Sequence, residues 1–164
     1  MLTKQDLENN LRRVHEWTKS ADQKISILMA FQGLYITALV AVLSKLYTKE
    51  STDLTTWQML LVVGSIACLL LSFVKSLWAL LPRLKSQEGK PSLTYFGDIA
   101  AITRDEFHQK IREATDELYM TDLTDQIYIS SRIATTKHKH FRSSVILFVT
   151  TFALSLVLYF TIIT

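Results

Sequence analysis

The side chains able to do chemistry are few and poorly grouped. His138 and His140 alternate with Lys137 and Lys139 in the run KHKHFR. That spacing fits residues at a membrane surface better than the i, i+4 pair that turns two imidazoles toward one metal. His15 and His108 have no Cys, His or carboxylate at ligand spacing, and Cys68 is the single cysteine, so neither a metal site nor a disulfide is expected. No phosphate loop, GxSxG elbow, HExxH pair or dinucleotide fingerprint occurs. The chain therefore reads as a non-enzyme without a cofactor. What remains is a set of bases able to meet an anionic ligand: Arg12, Arg13, Arg83, Lys85, Lys90, Arg104, Lys110, Arg112 and Arg132.

The elements that carry these residues follow from how charge is distributed. In 164 residues with 49% hydrophobic content, charge is nearly absent from three windows and crowded elsewhere, which is the segregation of a membrane protein. The expected fold is all-α, with three transmembrane helices and a helical cytosolic cap. Its segments are a cytosolic N-terminal helix (1–24), a first span (25–46), an external loop (47–56), a second span (57–81), a cytosolic helical insert (82–143) and a third span (144–163). The first 24 residues lack the apolar core of a signal peptide. From Ser143 onward, SSVILFVTTFALSLVLYFTIIT carries no charge, about the 20 residues needed to cross a ~30 Å hydrocarbon core. No Gly or Pro interrupts Thr115–Arg142 before it, so one helix is expected to run from water into lipid.

Leu7, Leu11, Val14, Thr18, Ala21, Ile25 and Leu28 recur in steps of four and three, a heptad seam that leads into the first span. The seam implies a partner helix, either the second cytosolic helix or a neighbouring subunit. Within the first span Ser26, Ala30, Gly33, Thr37, Ala41 and Ser44 form one small, weakly polar stripe. Lipid gives no reason for such a stripe, whereas close helix packing or a water-lined path does. Ser26, Gly33, Thr37 and Ser44, with Gln32 beside them, are the expected pore-lining set. Gln32 needs an amide partner at that depth. Ser65, Cys68, Ser72, Ser76 and Ala79 make a second small face on the second span. Lys75 is the one charge in that window, near enough to its end for the ammonium to reach the interface.

Lys and Arg set the expected orientation. Five fall in residues 1–24 and ten in 82–143, but only Lys49 in the 46–56 loop, which places the N-terminus inside and the C-terminus outside. In the insert, Gly97 reads as a turn and Thr103-Arg-Asp-Glu106 as a capping box opening a short helix to about Ala114. Glu113, Asp116, Glu117, Asp122 and Asp125 form an acidic block, read as a solvated face or, in a ring of subunits, as a vestibule attracting cations. Arg132, Lys137, Lys139 and Arg142 form a basic block facing anionic lipid.

ADQKISILMAFQG (21–33), SLTYFGDIA (92–100) and DLTDQIYISSRIATTKHKHFRSS (122–144) together resemble the membrane effector domain of the Pycsar antiphage family. The resemblance covers about Leu11 to Val149. It implies a bacterial inner-membrane protein that forms a homo-oligomeric ring, expected as a tetramer, and compromises the membrane when a nucleotide signal arrives. These 164 residues carry no separate sensor domain, as in stand-alone effectors of the Hailong type. The expected signal is thus a cyclic nucleotide or a short single-stranded DNA oligomer, made by a partner cyclase or nucleotidyltransferase and acting as opener or inhibitor. Three spans in one copy cannot enclose water, so a pore requires an oligomer. The alternative is a non-conducting anchor whose cytosolic helices recruit a soluble enzyme.

Overall fold

Threonines open four of the five described helices, and Tyr95 precedes the fifth. The computed structural model describes residues 3–48, 54–81 and 92–163. These form α1 (Lys4–Thr48), α2 (Thr56–Leu80), α3 (Phe96–Ala100), α4 (Arg104–Glu113) and α5 (Asp116–Ile163), with no strand among the described residues. Thr3 donates its backbone N–H to Asp6 at 2.9 Å and accepts from the Asp6 N–H at 3.2 Å, so a capping box forms although Asp replaces the longer acid. Thr55 and Gln58 open α2 through a 2.9 Å bond from the Thr55 N–H to the Gln58 side chain. Thr103 and Glu106 do the same for α4, and the Thr115 hydroxyl accepts from the Leu118 N–H at the start of α5. Pro82, Gly89 and Pro91, the punctuation expected after the second span, lie outside the described residues, as does Lys49.

With no breaker between them, the polar and apolar halves of α1 and α5 form single helices of 45 and 48 residues. At about 1.5 Å per residue each is roughly 70 Å long, more than twice a ~30 Å hydrocarbon core. Of the five helices, α1, α2 and α5 are long and apolar enough to cross a membrane.

The chain folds as two compact units. One comprises Met1–Ser20 with Pro82–Thr136, and the other Ala21–Leu81 with Lys137–Thr164. In the first, polar unit, Leu7 and Val14 of the α1 seam are buried, and α5 buries Leu123, Gln126 and Ala134. The two helices run parallel: Lys4 meets Asp116 at 3.3 Å, the Tyr119 hydroxyl donates to Glu8 at 3.2 Å, and His15 lies 3.4 Å from the Ser130 hydroxyl. The seam's partner within this unit is therefore the first half of α5.

The segment SLTYFGD is clasped by two carboxylates. Buried Asp98 accepts from the Ser92 N–H at 2.8 Å, and Asp122 of α5 accepts from the Leu93 N–H at 3.1 Å and the Thr94 hydroxyl at 3.0 Å. The Ser92 hydroxyl oxygen accepts from the N–H groups of Thr94 and Tyr95, both at 3.0 Å. Gly97, expected as a turn, lies inside α3 instead. Its lack of a side chain serves packing, because an added Cβ would stand 2.6 Å from Cε1 of the Tyr95 ring.

In the second, apolar unit α1 and α5 run parallel, and α2 runs antiparallel to both. The pairs that establish this are Lys137–Asp22, Gln32 with Ser72 and Ser144, Tyr35 with Ser155, Trp78–His140, and Gln58 donating to the Thr161 carbonyl at 3.0 Å. At the centre Gln32 is fully buried and its Nε2 donates to the hydroxyls of Ser72 at 2.6 Å and Ser144 at 3.2 Å. Ser144 also donates to the Ser72 carbonyl at 2.8 Å and sits 2.7 Å from the Ser76 hydroxyl. The small-residue face of α2 points inward: Ser65, Ser72, Ser76 and Ala79 are all buried.

In lipid such bonds replace the hydrophobic effect as the tie between helices and contribute about 0.6–2 kcal/mol each. Gln32→Leu should weaken the three-helix association by about 1–2 kcal/mol, read as an earlier midpoint in detergent-induced unfolding of reconstituted protein. Ser143→Ala, on an exposed neighbour of Ser144, should leave the midpoint in place.

Candidate functional site

Phosphate recognition needs cations presented together and unspent on internal acids. Of the expected bases, Arg12, Arg13, Arg104, Arg112 and Arg132 are exposed and Lys110 is half-buried, whereas Arg83, Lys85 and Lys90 lie outside the described residues. Their local settings differ. Arg12 donates to the Asn9 side chain at 3.3 Å, and the Arg132 guanidinium lies 5.9 Å from the centre of the Tyr128 ring. Arg104, His108 and Arg112 recur every fourth residue along α4 and so share one exposed face of that helix, with Lys110 on its other side. Arg104, His108 and Arg112 thus form a row about 12 Å long on one short helix.

The cap of α4 fixes that face. Glu106 has its carboxyl held below the ordinary range, chiefly by the Thr103 backbone N–H and then by the Thr103 hydroxyl. Asp6 at the start of α1 is lowered in the same way, first by the Thr3 hydroxyl and then by the Thr3 N–H. Tyr119 is pushed the other way by partial burial, with the Glu8 charge adding to it. The acidic block is only partly a free solvated face: Asp122 holds the SLTYFGD segment, Asp116 pairs with Lys4, and Glu113 accepts from Gln109 at 2.8 Å. Among the described residues no three of His, Cys, Asp or Glu converge as a metal would require.

The expected pore-lining residues separate into two groups. Gln32 is sealed in the centre of the apolar unit, whereas Ser26, Gly33, Thr37 and Ser44 are exposed on the outside of α1, as are Ala30 and Ala41 of the same stripe. The hydroxyls of Ser26, Thr37 and Ser44 donate back to α1's own carbonyls (Asp22, Gly33 and Ala41), at 2.9, 3.1 and 3.0 Å. The hydroxyls of Ser26 and Thr37 thus find an acceptor within α1 itself. A Cβ added at Gly33 would meet nothing within 4 Å. On the far side of the unit, an apolar cleft of about 220 Å³ lies between the three helices, lined by residues such as Tyr35, Leu39, Val62 and Leu158.

Sequence reasoning missed several residues that organise these surfaces. Ser144 was hidden at the head of an uncharged run, and its role emerges only because α2 brings Ser72 and Ser76 to it. The half-buried Lys137–Asp22 pair joins residues 115 apart, and the Asp122 clasp joins residues 28 and 29 apart. Neither spacing has a local signature.

Compared with known families, the chain matches the Pycsar effector protein domain over residues 6–164. No curated protein and no solved structure matches it.

Two outcomes follow for the α4 face. A carboxyl lowered on folding stabilises the fold above its ordinary range, and that contribution is lost as pH falls through the lowered value. Acidification below the normal glutamate range should therefore lower the protection of the first α4 amides, measured as native exchange relative to the unstructured rate at the same pH, and Glu106→Ala should show the lower protection already at neutral pH. On the expectation that a nucleotide meets this face, replacing Arg104 and Arg112 together by Glu should weaken its binding about tenfold or more and flatten the salt dependence, checked by calorimetric titration at several ionic strengths.

Proposed function

The chain belongs to the Pycsar effector protein domain family, a family of antiphage defence effectors, and from that premise we propose that copies of it assemble in the bacterial inner membrane into a ring around a water path. Opening of the ring depolarises the membrane and aborts infection. A nucleotide made by a partner cyclase or nucleotidyltransferase, either cyclic or a short DNA oligomer, controls it from the cytosolic side. On this reading the N-terminus lies inside and the C-terminus outside, as the lysine and arginine bias requires. The parallel course of α1 and α5 in the apolar unit is compatible with that orientation.

The observation that carries the reading is the contrast between the two small-residue faces. The face on α2 is spent inside the protomer, on Ser144 and Gln32. The face on α1 is turned outward, with bare backbone at Gly33 and the Ser26 and Thr37 hydroxyls folded back on their own helix. Among the described residues the protomer's centre is closed at Gln32 and its serines, which are fully buried, and the neighbouring cleft is apolar. A stripe of weakly polar groups on the outside acquires a purpose when copies stand around an axis, where it lines water or seals helix against helix. Control by a phosphate-bearing signal is assigned to the polar unit, with Arg104 and Arg112 as the first contacts.

The rival reading, a non-conducting anchor for a soluble partner, draws on Trp17, Phe96 and Tyr128, large rings more than half exposed on the polar unit. Ion flux decides between them. Purified protein in liposomes should pass ions in a manner altered by added nucleotide, and Gly33→Leu should abolish flux while cross-linking still yields the wild-type oligomer. If that variant fails to assemble, the stripe is packing alone; oligomers that pass no ion with any nucleotide leave the anchor.

A further inference from the structure

Lys75 is the charge that lipid should exclude, yet it sits on α2 five residues before that helix ends at Leu80. Among the described residues no carboxylate lies within ion-pair distance of it; the apolar unit's described ion pair joins Lys137 to Asp22. An ammonium at the edge of a hydrocarbon core requires a counter-charge or water. A ring accompanies it: the Lys75 Nζ stands 5.4 Å from the centre of Trp78. The imidazole of His140, on α5, packs edge-on against the same indole, with centroids 6.2 Å apart and planes at 88°. Trp78 is 54% exposed, so this assembly is a surface feature of the apolar unit. Lys139 and Arg142, exposed near His140 in the middle of α5, add further positive charge at that level of the helix.

We propose that Lys75, Trp78 and His140 form a binding site for the headgroup of an anionic phospholipid in the surrounding leaflet. The chemistry is specific to that place. Trp rings settle at the headgroup level of a bilayer, where one edge is apolar and the other wet. The Lys75 ammonium of α2 and the His140 imidazole of α5 both border the one indole, so a headgroup phosphate at that ring has the ammonium as its counter-charge and the imidazole beside it. The bases around the site favour a net negative headgroup over a zwitterionic one. A bound headgroup bridges α2 and α5 at the end where α5 begins its uncharged run. The inference rests on α2 and α5 lying in a bilayer and is independent of whether the assembled protein conducts.

The test uses full-length protein reconstituted in phosphatidylcholine vesicles, with spin-labelled phosphatidylglycerol or phosphatidylcholine as probe and electron spin resonance reporting their relative association. Wild-type protein should prefer phosphatidylglycerol. Lys75→Gln should lower that preference about fivefold, in line with one basic group near an anionic surface, and His140→Gln should lower it too. Lys75→Arg, which keeps the charge, should retain the preference, and Lys19→Gln in the polar unit should not change it. Unchanged helix content by circular dichroism confirms that the variants fold. Equal preference in wild type and Lys75→Gln overturns the site. So does displacement of the labelled phosphatidylglycerol by inorganic phosphate at matched ionic strength, which would make it a site for a soluble phosphate.

Discussion

A carboxamide with no access to water is the constraint around which the apolar unit is arranged. Gln32 cannot leave its N–H groups unmet at full burial, so the hydroxyls of Ser72 on α2 and Ser144 on α5 must stand within reach of one point on α1. That requirement sets which faces of the three helices meet, and at what register. Helices immersed in lipid slide and rotate against one another at little cost, because hydrocarbon solvates Leu and Val as well as a neighbouring helix does. A hydrogen-bonded point shared by three helices removes that freedom. Among the described residues no donor reaches the Gln32 Oε1, so its hydrogen bonds run through the Nε2.

The two units rest on different physics. In the polar unit water supplies the driving force: a heptad seam buries Leu7 and Val14 on α1, and α5 buries Leu123 and Ala134. Ion pairs there, such as Lys4 with Asp116, are exposed and contribute little. Positioning comes instead from carboxylates that accept backbone N–H groups, Asp98 and Asp122 around SLTYFGD and Glu106 at the start of α4. In the apolar unit burial of Leu or Phe has no such value, and many of the large side chains, Phe31, Leu60 and Phe152 among them, face outward. Small residues do the packing, and their hydroxyls either cross to another helix or fold back onto their own. Ser72 and Ser144 belong to the first kind, Ser26 and Thr37 to the second. The distinction separates the surfaces that hold the protomer together from those left available outside it.

Much of this was legible in the linear chain, because it depends on period and composition alone. The three membrane-capable helices follow from runs nearly free of charge, the length of α5 from the lack of Gly and Pro between Thr115 and Arg142, and the caps at Thr3 and Thr103 from a residue pair three apart. All act within a few turns of one helix. What tertiary structure decided was direction: which of two similar small-residue stripes turns inward, and which outward. Ser65, Ser72 and Ser76 read no differently from Ser26, Gly33 and Thr37, since a helical period gives a face but not its neighbour. The same holds for Ser144 finding Ser72, for Lys137 finding Asp22, and for Trp78 bringing Lys75 and His140 to one ring. Each joins helices far apart in the chain, and which partner a polar group meets in lipid is set by the packing of all three helices at once.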